Sequence, residues 1–151
     1  YYEPAAMILN QSVEVGLDCK FLGADGIGGV EDLVSDTALL SKTYYCAHFA
    51  NDADDENVKT FIESYKAKYG EEPKMAFSAT GYDAVKILVN AIAEAGSTDS
   101  AAGVEKIKAT DLDCVTGHIT FDDHNDPVKN AYIMNYVDGQ PKYVDTVEPE
   151  A

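Results

Sequence analysis

The stretch Lys20-Phe21-Leu22-Gly23-Ala24-Asp25-Gly26-Ile27-Gly28-Gly29 restricts this chain more than any other. A short apolar run from Phe21 to Ala24 meets a carboxylate and then glycines, the pattern of a buried strand that breaks into a loop. Strands of this kind alternating with amphipathic helices build an α/β domain. In open α/β sheets, ligands sit in the crevice beyond the carboxyl ends of the strands, and Asp25 stands at that position. It is either a binding group or a solvated turn aspartate that braces its loop through an Asx-type hydrogen bond. Spacing alone leaves both readings open.

Around this stretch the elements can be read in order. Pro4 suits the first turn of a helix carrying Ala5, Ile8, Leu9, Ser12 and Val15 at helical spacing, with Gly16 free to take the left-handed position at its end. A helix at the start of an α/β chain ordinarily follows a strand, so the chain reads as a piece of something larger or as an unusual beginning. Val30 to Leu40 predicts a short helix, and the aromatic-rich Thr43 to Phe49 a strand. The acidic run Asn51 to Glu56 precedes Val58, Phe61, Ile62, Tyr65 and Tyr69, the apolar face of a helix closed by Gly70. Carboxylates just ahead of a helix satisfy its free N–H groups, and that explains the run more simply than a metal does.

After the Glu71-Glu72-Pro73 linker, the spacing predicts the longest helix over Met75 to Ala95. One stripe holds Ala84, Ile87, Ala91 and Ala95, and an adjacent one Val85, Leu88 and Ile92; an apolar arc this wide predicts burial between other elements. Ser97 to Asp99 can cap a short helix through Ala101, Val104 and Ile107. The period then changes to two: Ile119 and Phe121 alternate with polar neighbours, Asp122 to Pro127 turns, and Ala131 to Val137 and Lys142 to Val147 are strands joined at Asp138-Gly139.

Charge narrows the function classes. Eleven Lys and Arg against 27 Asp and Glu leave a net charge of −16 in 151 residues, which repels phosphate backbones and anionic lipid. Nucleic acid is therefore not an expected partner. The most apolar segment, Ala84 to Ala95, is broken by Lys86, Asn90 and Glu94 and falls short of the roughly 20 residues a membrane span requires. Tyr1-Tyr2-Glu3-Pro4 lacks the basic start and apolar middle of a signal peptide. Three isolated cysteines, Cys19, Cys46 and Cys114, establish neither a disulfide framework nor a zinc motif. Cys46 and His48 share a strand face and could form a thiolate–imidazole pair, but no orienting group or oxyanion hole accompanies them. Asp122-Asp123-His124-Asn125-Asp126 offers oxygen ligands, yet without the central glycine and distal glutamate of a calcium loop it reads as a plain turn. The spacing of Gly23, Gly26, Gly28 and Gly29 departs from a nucleotide loop, and Asp25 would repel an anion. A small cation is preferred there, an ammonium group above all, with Tyr1 and Tyr2 able to add ring faces beside it.

Several stretches together resemble the later portion of the Leu/Ile/Val-type periplasmic binding proteins of ABC importers. They are Tyr1-Tyr2-Glu3-Pro4-Ala5-Ala6 with Asn10-Gln11, Gly16-Leu17 and Phe21 to Gly26; Phe61, Tyr65, Tyr69-Gly70 and Pro73; Gly81-Tyr82-Asp83-Ala84-Val85; Ala95-Gly96-Ser97 with Asp99; and Val115-Thr116-Gly117 through Ile119-Thr120-Phe121-Asp122, Asp126-Pro127 and Lys129. The resemblance implies an α/β, three-layer α/β/α fold with a mostly parallel sheet, part of a two-lobed clamp that closes on an amino acid. It implies residues 1–47 in the ligand-binding lobe, 48–116 in the other, and 117–151 returning across the hinge, with Tyr44 to Phe49 as one crossing. By position it places the ammonium-binding acid on Asp25, an aromatic against the ligand on Tyr1, and an aromatic at the lobe entrance on Phe77. It implies no enzyme activity, no cofactor and no metal. The implied partners are a free amino acid, branched-chain or small aliphatic, and an ABC permease; the location is periplasmic or extracellular, with a lipid anchor in the parent left open. A receptor ectodomain with the same clamp is the alternative, and a Cys46/His48 enzyme a more remote one. With the first half of the clamp missing, exposed sheet edges favour a homodimer or a strand-exchanged oligomer.

Overall fold

The computed structural model describes residues 1–149. Helix α1 (Tyr2–Glu14) leads to strand β1 (Phe21–Gly23), a 3-10 turn at Val30–Asp32, helix α2 (Thr37–Ser41) and strand β2 (Thr43–Ala47). Helices α3 (Glu56–Tyr69), α4 (Phe77–Ala95) and α5 (Ser100–Lys108) follow, then strands β3 (Asp111–Cys114), β4 (Gly117–Phe121), β5 (Pro127–Val128), β6 (Ala131–Val137) and β7 (Gln140–Val147). The helix ends carry the expected chemistry. Asp55 caps α3 by accepting the N–H groups of Asn57 and Val58, Asp99 caps α5 through Ala102, and Gly70 closes α3 with φ +81°. At the β6–β7 turn, Asp138 and Gly139 both take positive φ, 51° and 77°, as a two-residue hairpin of matching twist requires.

Two sheets result, in the orders β1-β2-β6-β7 and β3-β4-β5. Parallel pairing is confined to β1 and β2, with Phe21 opposite Thr43; β2 with β6, β6 with β7, and both pairs of the smaller sheet are antiparallel. The mostly parallel sheet is thus corrected for the described residues, because the chain returns through a hairpin and only one pair of strands is joined by a crossover. The helix predicted across Val30 to Leu40 is split. The 3-10 turn ends near Leu33, and Asp36 starts α2 afresh by accepting the N–H of Ala38. Strand β4 pairs with β3 and not with β2, so the return to the first sheet comes after Val128 and not at residue 117.

Packing follows the same division. One core joins Leu9 of α1 and Val30 and Leu40 to Tyr45, Met134 and Tyr136 of the larger sheet. The Tyr45 and Tyr136 rings stack at 5.5 Å, a contact worth about 0.5–1.5 kcal/mol beyond its buried area. A second core gathers Phe49, Val58, Phe61, Ala79 and Val115, and a third Ile87, Cys114 and Ile119. The described residues divide chiefly into two units, residues 1–47 with 131–147 and residues 49–128, although Ala50 is buried in the first core and Ala53 packs against both the first and the second. They are linked by two passages, at His48 and at Lys129. Lys129 Nζ donates to the His48 carbonyl at 3.0 Å and fastens one passage to the other. Partial burial pushes this ammonium down to about 8, with Asp83 pulling the opposite way.

Helix α4 buries a single row, Ala79, Asp83, Ile87 and Ala91, at steps of four. Val85, Leu88 and Val89 are exposed, so the wide apolar arc is not covered by this chain. Apolarity marks a surface that avoids water, but burial also needs a neighbour, and the described residues supply one only to the row at Ala79 to Ala91. That row carries a carboxylate for a reason: Asp83, 2% exposed, accepts the N–H of Val115 at 2.9 Å and of Thr116 at 2.8 Å, closing the β3–β4 turn onto α4.

On the outer face of the same hairpin, the His118 ring contacts Asp113 through Nδ1 at 2.8 Å and Asp111 through Nε2 at 3.1 Å. The hydrogen bond to Asp113 holds the imidazole above its ordinary value. A histidine raised on folding stabilises the fold fully below its unfolded value of about 6.5, and the contribution disappears as pH rises through the folded value. Urea denaturation is therefore expected to show wild type exceeding His118→Gln at acid pH, with the gap closing in alkali. A gap independent of pH would contradict the assignment.

Candidate functional site

A cleft of about 510 Å³ opens where the two units meet. Its walls include the loop after β1 with Asp25, Gly26 and Gly28, and Glu31 beyond it; the end of β2 and the first passage, Tyr45 to Phe49, with Asn51 and Asp52; the approach to α4, Glu72 to Phe77; and the β6–β7 hairpin. The crevice beyond the carboxyl end of β1 is thus a real concavity. Asp25 lines it, as does Phe77 at the start of α4.

Asp25 is not held dry. Its side chain is 60% exposed, and its Oδ2 lies 3.3 Å from His48 Nε2. The contact with His48 arises because β1 and β2 lie side by side in parallel and bring the two strand ends, with Asp25 and His48 just beyond them, to one edge. Tyr1 is 84% exposed and stands behind the loop. Gly26 has φ +80°, and a Cβ there would lie 3.0 Å from Tyr1 Cδ1, so the ring and a side-chain-free residue define one close approach. Phe77 is 59% exposed. The structure therefore places Asp25 and Phe77 on one cleft and Tyr1 against the Asp25–Gly26 loop.

The loop is anchored by a residue that sequence reading passed over. Glu31 Oε2 accepts the Gly29 N–H at 3.0 Å and the Tyr136 hydroxyl at 3.1 Å, tying the glycine loop to β6. Burial, followed by the neighbouring Tyr45, pushes the Tyr136 phenol far up, and burial takes Tyr45 to about 12; both stay neutral donors at physiological pH. The sequence signal for Glu31 was an acid two residues after a glycine pair.

The other candidate chemistry is resolved by contacts. Cys46 is exposed, the His48 ring addresses Asp25, and no hydrogen bond joins thiol to imidazole among the described residues. Asp122 Oδ1 accepts the N–H groups of His124 and Asp126, so this acidic turn braces itself. In the Asn51–Glu56 run, Asp54 and Glu56 meet Lys59, Asp55 caps α3, and Asp52 accepts the Tyr143 N–H. Among the described residues no cluster suits a metal ion, and no helix is long and apolar enough to cross a membrane.

A family model for periplasmic binding proteins matches residues 3–141. The chain belongs to the periplasmic binding protein family. That family is one of solute-binding proteins and not of enzymes. The leucine-, isoleucine-, valine-, threonine- and alanine-binding protein of Pseudomonas aeruginosa is 28% identical over 126 residues, 83% of this chain and 33% of that protein. The leucine-binding protein LivK of Thermotoga maritima matches with a TM-score of 0.88 at 28% identity, over 99% of this chain and 43% of its own. LivJ of Streptococcus pneumoniae, a branched-chain amino acid transporter substrate-binding protein solved with isoleucine, gives 0.83 at 32% identity, again over 99% and 43%. The periplasmic-binding-protein-like α/β fold is shared with both. This family member spans between a third and less than half of the length of these relatives.

Proposed function

We propose that this chain is the later portion of an extracytoplasmic solute-binding protein that captures a branched-chain or other small aliphatic amino acid for an ABC importer. The observation that carries the reading is that Asp25 and Phe77 line one cleft. A carboxylate there suits the ligand's ammonium through a charge-assisted hydrogen bond, and Phe77 suits an apolar side chain, while Tyr1 packs against Gly26 of the loop that carries Asp25. The likeness to LivJ, whose structure contains isoleucine, supports the same ligand class.

In this reading the unit built from residues 1–47 and the returning hairpin belongs to one lobe, and the unit over 49–128 to the other. His48 and Lys129 lie on the hinge. Closure on the ligand is the state the permease reads, and the ligand favours it only by binding it more tightly than the open form. Produced alone, the chain leaves Leu22 on the β1 edge and Val85, Leu88 and Val89 of α4 exposed, and it is expected to self-associate through these surfaces. Light scattering that shows a monomer at micromolar concentration would exclude this.

The test of function is calorimetry of the full-length protein with leucine, isoleucine, valine and lysine. Saturable binding of the aliphatic set with lysine silent is the expected result. Failure of leucine, isoleucine and valine all to bind would overturn the reading.

A further inference from the structure

The turn that follows the first passage sends its side chains to both units. The Ala53 N–H donates to the Ala50 carbonyl at 3.3 Å, so Asn51 and Asp52 are the central residues of the turn, a place that both residue types favour. Ala50 is buried in the first core, and Ala53 packs against the first and the second. The turn is therefore wedged where the units meet.

Its two central side chains go to different partners. Asn51 Nδ2 donates to the Pro73 carbonyl at 2.7 Å, on the approach to α4. Pro73 is fully buried, and a buried carbonyl needs a donor, which Asn51 supplies. Asp52 Oδ1 accepts the Tyr143 N–H of β7 at 3.1 Å, and its Oδ2 lies 3.5 Å from Lys142 Nζ. Lys129 ties one passage to the other, whereas this turn ties one unit to the other. Asn51, Asp52 and Lys142 all line the cleft, so the connection runs along its wall.

Resting on the amino-acid-binding reading, we propose that Asn51 and Asp52 are a pair of positioning residues that sets the spacing of the two units in the ligand-free cleft. The connection is in series, from β7 to Asp52, through the turn to Asn51, and on to Pro73. It is lost when either bond is lost. A turn held at both ends keeps the walls near the separation a ligand needs, so a larger share of the free protein is ready to bind and less ordering remains for capture to impose.

The test is small-angle X-ray scattering of the full-length protein, ligand-free and with leucine, joined to leucine calorimetry, for wild type, Asn51→Ala, Asp52→Ala, the double variant and Asp52→Asn. Each single alanine is expected to broaden the ligand-free pair-distance distribution and to weaken leucine several-fold, while the leucine-saturated profile stays that of wild type. The double variant is expected to match the larger single effect, because one broken bond already opens a series connection. Asp52→Asn keeps an acceptor for the Tyr143 N–H and is expected to keep the wild-type ligand-free profile. Should Asn51→Ala fail to fold, the contrast between Asp52→Ala and Asp52→Asn decides. Ligand-free profiles that match wild type in the alanine variants overturn the proposal, and weakened leucine binding alongside them would make the two residues ligand contacts. Effects that add in the double variant overturn it too, since they belong to independent bonds. Failure of wild type to bind leucine, isoleucine and valine overturns the amino-acid reading, and the ligand-free profiles, recorded without solute, then decide the spacing role by themselves.

Discussion

Replacing Asp83 by alanine is expected to lower the stability of this chain by about 3–5 kcal/mol, a large part of the 5–15 kcal/mol that a domain ordinarily has. The carboxylate accepts two backbone N–H groups, from Val115 and Thr116, and all three residues are buried, at 2%, 6% and 1% exposure. A net 1.5–3 kcal/mol is typical of a hydrogen bond to a charged group, and removing the acceptor leaves two donors with no water to turn to. The damage extends beyond the turn, because Cys114 and Ile119 on either side of it pack against Ile87, one turn along α4. Asp83→Asn keeps the shape and one acceptor oxygen, so roughly half the loss is expected. Urea denaturation with the same slope and a lower midpoint is the readout. Asp54→Ala is the control, since that side chain is 94% exposed and its pairing with Lys59 lies in solvent; it should be silent. If Asp83→Ala cost no more than the control, water would have to reach the turn, and the carboxylate would not be what holds the hairpin to the helix.

Asp25→Asn is expected to weaken leucine binding by the full-length protein by about 2–5 kcal/mol, the range measured when one partner of a close charge pair is removed. The open cleft places the lower end first. The carboxylate is 60% exposed, where screening is strong, and the larger values require the desolvation that closure around a ligand would bring. The side chain contributes little to packing, so the variant should melt with wild type, and any loss of binding can be read as loss of contact. Calorimetry at fixed pH measures it. Unchanged affinity would leave Asp25 as an acid that braces its loop, the plainer of the two readings its sequence allowed.

Local chemistry was readable wherever neighbours in sequence are also neighbours in space. Asp55 and Asp99 as caps, Gly70 as a helix end, the face of α3 through Val58 and Phe61, and the Asp138-Gly139 turn all depend on residues within one or two turns of each other. Strand β3 escaped because Asp-Leu-Asp-Cys has two apolar residues and is held as a strand by β4. The parallel character of the larger sheet was overestimated because strand direction depends on how the chain returns, which no single strand records. On α4, hydrophobicity was legible and coverage was not.

The site divides in the same way. Asp25 was visible as the acid at a strand end, and His48 as the partner of Cys46 on a strand face. Their contact was not visible, since it follows from the β1–β2 pairing and from the passage that leaves β2. Asp83 was noticed as part of a recurring stretch without any sign that its carboxylate is buried and doubly hydrogen-bonded.

The bond from Lys129 to the His48 carbonyl has a mechanical meaning. Two connectors left independent could slide, twist or part, giving the units several relative motions. Tied to each other by this hydrogen bond, they would bend together, and the remaining freedom would come closer to a single rotation. On the binding-protein reading proposed above, such a device would convert a push anywhere along the groove into the same swing, so that different small solutes would reach one shut shape.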